Sequence, residues 1–139
     1  MLANTNPGEI QSYNFEIDNG LLQASWSEDL RSESAEFYAS VQCLLEIIID
    51  RKVTRLLLDS GKPEGGILTE EVTGYILKHT PFTKLEKVAL LESHDFHWDN
   101  NIIQLARYLQ QTIMVPFEFK LFATNSDAVA WLNALEAGR

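Results

Sequence analysis

The feature that most constrains this chain is a change of hydrophobic period that recurs along its length. Leu56-Leu57-Leu58 and Val88 to Leu91 are apolar runs too short for helices, and stretches with helical spacing lie between and after them. Continuous runs of this kind are strands buried on both faces, and alternation with helices implies a largely parallel sheet joined by right-handed crossovers. The chain opens differently. Tyr13, Phe15 and Ile17 alternate with Asn14, Glu16 and Asp18, and Asn19-Gly20 follows before a second run from Leu21 to Trp26. An Asn-Gly pair accepts positive φ at both central turn positions, so the first two strands form a tight antiparallel hairpin.

Four helices complete the pattern. From Glu33 to Asp50, residues Phe37, Val41, Leu44, Leu45 and Ile48 make one stripe, with acids at the start and Arg51-Lys52 beyond the end. Residues 61–66 are a Gly/Pro-rich loop. Thr69 with Glu70-Glu71 starts a second helix, with Val72, Tyr75, Ile76 and His79 inward and Pro81 as its stop. A polar loop from Glu92 to Asp99 leads to a third helix, Asn100 to about Met114, capped by Asp99 or Asn100. Phe117 to Phe122 alternates like an edge strand, and a last helix opens at Asn125-Ser126-Asp127 and buries Ala128, Trp131, Leu132 and Leu135. The expected architecture is α/β: a single domain over 12–137, after a flexible lead-in over 1–11. Its sheet is mixed, mostly parallel and five-stranded, with four helices in the order β-β-α-β-α-β-α-β-α.

Composition narrows the function classes. The chain has 139 residues, and Lys plus Arg total 11 against 20 for Asp plus Glu, a formal charge of −9. With the basic residues scattered, such a surface repels nucleic acid and anionic headgroups. The single cysteine, Cys43, excludes an internal disulfide framework and fits a reducing cytoplasm. The first residues have no signal-peptide pattern, and no apolar run is long enough to cross a bilayer, so a cytoplasmic location without stable membrane insertion is expected.

The order of elements, the Leu56-Leu57-Leu58-Asp59 strand, and the ending Phe119-Lys120-Leu121-Phe122 then Asp127-Ala128-Val129-Ala130-Trp131-Leu132 resemble a STAS domain of the SpoIIAA-like kind. That is the fold of bacterial anti-sigma-factor antagonists, related to SEC14-like lipid-binding domains. The resemblance covers about Tyr13 to Leu135 and rests on packing patterns, which speak to architecture more than to activity. It implies a non-catalytic regulatory or interaction module that binds a protein partner or a small apolar ligand. Antagonist domains also carry a phosphate-accepting serine at the start of the helix after the middle strand. Here Thr69 is the candidate phosphoacceptor, and the adjacent Glu70 and Glu71 weigh against a phospho-switch.

No catalytic constellation is evident and no cofactor is implied. Ser60 lacks a nucleophile elbow, and Gly61, Gly65 and Gly66 lack a phosphate-cradling spacing. His79 reads as a helix-end cap, Cys43 as a small core residue, and Trp26, Trp98 and Trp131 as packing residues, with Trp98, in a polar loop, also read as an exposed partner contact. His94-Asp95-Phe96-His97-Trp98-Asp99 is the densest polar cluster, and it follows a strand's carboxyl end, where open α/β sheets bind ligands. Two His and two Asp make a metal-assisted enzyme the alternative, although His-x-x-His alone falls short of a three- or four-ligand site, so no metal is expected. A SEC14-like lipid binder is a further alternative, and it needs an apolar cavity that so short a chain leaves little room for. The expected working surface joins Glu70 and Glu71 to His94, Phe96, His97 and Trp98, with the two aromatics as anchors. A homodimer is left open.

Overall fold

The computed structural model describes residues 13–27, 30–60 and 67–134. The flexible lead-in, the loop over 61–66, the proposed limits at 12 and 137, and the inward placement of Leu135 lie outside the described residues. Within them the chain is α/β, with β1 (Tyr13–Asp18), β2 (Leu21–Trp26), α1 (Ala35–Asp50), β3 (Arg55–Asp59), α2 (Glu70–His79), β4 (Lys87–Leu91), α3 (Phe96–Gln111), β5 (Glu118–Phe122) and α4 (Asn125–Asn133). A short 3-10 turn, Thr80–Phe82, follows α2 and carries Pro81.

The five strands lie in chain order, β1-β2-β3-β4-β5. β1 and β2 are antiparallel, and Asp18 pairs with Leu21 across a two-residue turn. Asn19 has φ 51° and Gly20 φ 80°, so both central positions use the left-handed region that this pair tolerates. Every later pairing is parallel. Because β2 to β5 step in one direction, crossovers of one hand place α1, α2 and α3 on one face of the sheet. Leu22, Ala24, Leu56 and Val88 meet those helices in the main core. The alternate residues Leu21, Leu57 and Ala89 face the other way and pack against Ala128 and Leu132 of α4.

Helix ends follow their caps. Ser34, Thr69, Asp95 and Thr124 each accept a backbone N–H through the side chain at the start of α1, α2, α3 and α4. The α1 stripe of Phe37, Val41, Leu44, Leu45 and Ile48 is buried as expected. On α2 only Val72 is fully buried, while Tyr75, Ile76 and His79 are half-buried. The third helix corrects the sequence reading. It starts at Phe96 rather than Asn100, because Asp95 caps it by accepting from the Trp98 amide at 3.1 Å. It stops at Gln111, and Met114 lies beyond it at φ 69°.

Candidate functional site

A line of aromatic rings crosses the main core from the β1 edge towards α3. Tyr13 meets Phe15 at 4.9 Å between centroids, Phe15 meets Trp26 at 5.8 Å, Trp26 meets Phe37 at 6.0 Å, and Phe37 meets Trp98 at 5.9 Å. A cavity of about 120 Å³ lies beside this line, between the sheet and α1, α2 and α3. Leu56, Leu58 and Val88 form its sheet side, Val41 and Leu45 come from α1, Val72 and Ile76 from α2, and Ile102 and Ala106 from α3. Its wall is apolar apart from a few atoms.

Those few polar groups differ in how they are satisfied. Trp26 Nε1 donates to Ser40 Oγ at 2.9 Å, and Ser40 Oγ donates in turn to the Phe37 carbonyl at 2.6 Å. Thr80 Oγ1 donates to the Ile76 carbonyl at 2.6 Å. Trp98 is different: only 2% of it is exposed, and its Nε1 donor is buried without a hydrogen-bond partner. An unmatched buried N–H costs about 1–3 kcal/mol, so such groups are uncommon and call for a cause.

The expected working surface is only partly assembled at the protein surface. Glu70, Glu71, His94, Phe96 and His97 are exposed, beyond the carboxyl ends of the parallel neighbours β3 and β4. Phe96 is 76% exposed and stands 6.0 Å from the His97 ring. Trp98 does not join them. It points away from solvent one position further round the helix, which removes it as a surface anchor and makes it part of the cavity wall. Thr69 caps α2, its hydroxyl oxygen accepting from the Val72 amide at 3.2 Å, so the candidate phosphoacceptor already has a structural task.

Both aspartates of the 94–99 cluster hold the turn. Asp95 caps α3, and the Asp99 carboxylate accepts from the Ser93 amide and hydroxyl. Among the described residues, no three His, Cys, Asp or Glu side chains come together to hold a metal ion. The metal-assisted alternative therefore has no ligand set there. His79 Nδ1 lies 3.0 Å from the Tyr75 carbonyl, at the end of α2. Cys43 is half-buried on α1, and burial pushes its thiol pKa up, with the Glu46 charge adding to the effect. Among the described residues no helix is long and apolar enough to cross a membrane.

The sequence reading allowed for a small apolar ligand but did not place the cavity that would take it. Its signals are small or short side chains facing inward on helices, such as Ala106 and Val72, and these read equally well as close packing. The chain matches no family model, and no curated protein or solved structure matches it.

Proposed function

We propose that this chain is a non-catalytic, STAS-like binding module whose cavity takes up a small apolar ligand. The observation that carries the reading is the apolar cavity itself. Apolar cavities of about 150 Å³ stay dry and admit molecules such as benzene, so one of about 120 Å³ suits a compact, ring-sized or short-chain guest. A long-chain lipid does not fit that volume, which separates this reading from a SEC14-like carrier. The opening hairpin, the parallel strands and the helix placement support the STAS-like assignment at the level of fold.

The test is ligand-detected and protein-detected NMR with benzene and cyclopentane as probes. Shifts concentrated on the methyl groups of Val41, Leu56, Val72 and Ile102 are expected, together with a rise in Tm that grows with probe concentration. Ala106→Leu, which adds bulk at the cavity wall, should abolish both effects. Absence of any probe-induced shift in the wild type would overturn the reading. A protein partner is the second reading, favoured by the 76% exposure of Phe96 beside His97. Phe96→Asp should then weaken partner capture without moving the probe-induced shifts.

A further inference from the structure

We infer that the natural ligand of this cavity is an apolar molecule bearing one hydrogen-bond acceptor, and that Trp98 Nε1 is the donor that reads it. The inference rests on the cavity reading above and adds the ligand's chemistry to it. Three observations carry it. Trp98 forms part of the cavity wall, its Nε1 has no partner, and Trp26 and Thr80, which share that wall, are satisfied within the protein.

A second indole makes the contrast within one core. Trp26 has its N–H matched by a serine placed one helix away, and the Ser40 hydroxyl passes its own proton to the Phe37 carbonyl. Nothing equivalent is supplied to Trp98, although it is the more buried of the two. A buried donor without an acceptor costs stability, so the indole N–H is a costly choice unless something meets it. Indole is a donor only, so its counterpart must be an acceptor. Nε1 itself is closed off from the cavity space as the ring lies, so the ligand must turn the indole to meet it.

The surrounding wall sets the rest of the chemistry. Trp26 and Thr80 are already paired, and Ser60 is the one further polar side chain on the wall, so the site offers little to a ligand rich in polar atoms, such as a sugar, or to an ionised acid. A charged ligand would have no counter-charge at the wall. A compact ketone, ester or ether is the class that fits: one acceptor on an apolar body. A donor-only or purely hydrocarbon guest leaves Trp98 unmatched.

The experiment compares cyclopentanone with methylenecyclopentane, two probes of similar shape that differ in whether they carry an acceptor. Each is titrated against the wild type and against Trp98→Phe, with the tryptophan indole N–H resonances followed in 15N-labelled protein. The ratio of the two affinities in the wild type, divided by the same ratio in Trp98→Phe, cancels their different solubilities. That double ratio should favour the ketone by about fivefold, as a net hydrogen bond implies. The Trp98 indole proton should move downfield with the ketone and not with the hydrocarbon. A double ratio near one, with both probes bound, would overturn the anchor while leaving the cavity reading intact. Failure of both probes to bind the wild type would overturn both. Trp98→Leu, which also carries no side-chain donor, replaces Trp98→Phe if the latter does not fold.

Discussion

Ser93 donates both its amide and its hydroxyl to the Asp99 carboxylate, at 3.1 Å and 2.7 Å to the nearer oxygens. The pairing ties the end of β4 to the first turn of α3 across His94, which adopts φ 71°. Asp99 is 7% exposed and sits in the first turn of α3, where an acid suits the helix dipole. Asp99→Ala should lower stability by about 2–3 kcal/mol, because two buried donors lose their acceptor together. Asp99→Asn keeps one acceptor oxygen and should lose less. Urea denaturation of the three proteins, read by tryptophan fluorescence, checks the order; equal midpoints would show that the turn holds without this pair.

The same turn explains where the sequence was legible and where it was not. The hairpin, the buried strands and the α1 stripe rest on local signals: a turn pair, a run length and a spacing, each fixed by residues near in sequence. The start of α3 was misplaced because Asp95 and Asp99 are both acceptable caps, and the choice between them depends on Ser93 engaging Asp99. Trp98 reads as a surface aromatic when the loop is thought to extend to Asp99. Starting the helix at Phe96 turns it inward, on the same stripe as Ile102 and Ala106. The cavity is less legible still, since a void is a deficit in packing among residues from seven elements and no local spacing records it.

Gly20 should resist substitution. Its φ is +80°, and a Cβ there would meet Thr54 Oγ1 at 3.4 Å. Gly20→Val imposes a β-branched residue on a left-handed conformation and should cost more than about 1 kcal/mol. Gly20→Asn, which tolerates that region, should cost less. Thermal unfolding of both variants decides: similar losses would mean that crowding rather than the backbone angle is limiting.

Cys43 should react slowly with alkylating reagents. Burial raises its thiol pKa and the neighbouring Glu46 charge adds to this, so less thiolate is present at a given pH than for a free cysteine. Iodoacetamide modification near pH 8 should therefore lag behind that of an unstructured cysteine peptide. Glu46→Gln should speed it, by removing one cause of the shift while leaving the burial in place. Mass spectrometry of timed aliquots gives the rates, and a folded protein alkylated as fast as the peptide would show that the thiol is not protected.

The last prediction concerns α4, the one helix on its face of the sheet among the described residues. Lys87 opens β4 on that face and is only 8% exposed. Its ammonium donates to the Trp131 carbonyl at 2.9 Å and the Ala134 carbonyl at 3.3 Å, and it stands 5.1 Å from the centre of the Trp131 ring. A cation at a helix's carboxyl end meets the dipole, and here it adds a second donor to the Trp131 carbonyl, which already accepts the Ala134 amide at 3.3 Å. Lys87→Met keeps the apolar stem and removes the charge and the donors, so it separates capping from packing. It should destabilise the protein by about 1–2 kcal/mol and, more tellingly, accelerate amide hydrogen exchange in α4 ahead of α1 and α3. Leu132 and Ala128, which bury the helix against Leu57 and Ala89, should hold it in place well enough for the sheet to remain folded. Uniform acceleration across all four helices would mean that Lys87 supports the sheet as a whole. No acceleration in α4 would mean that apolar burial alone docks the helix and that the lysine cap adds nothing measurable.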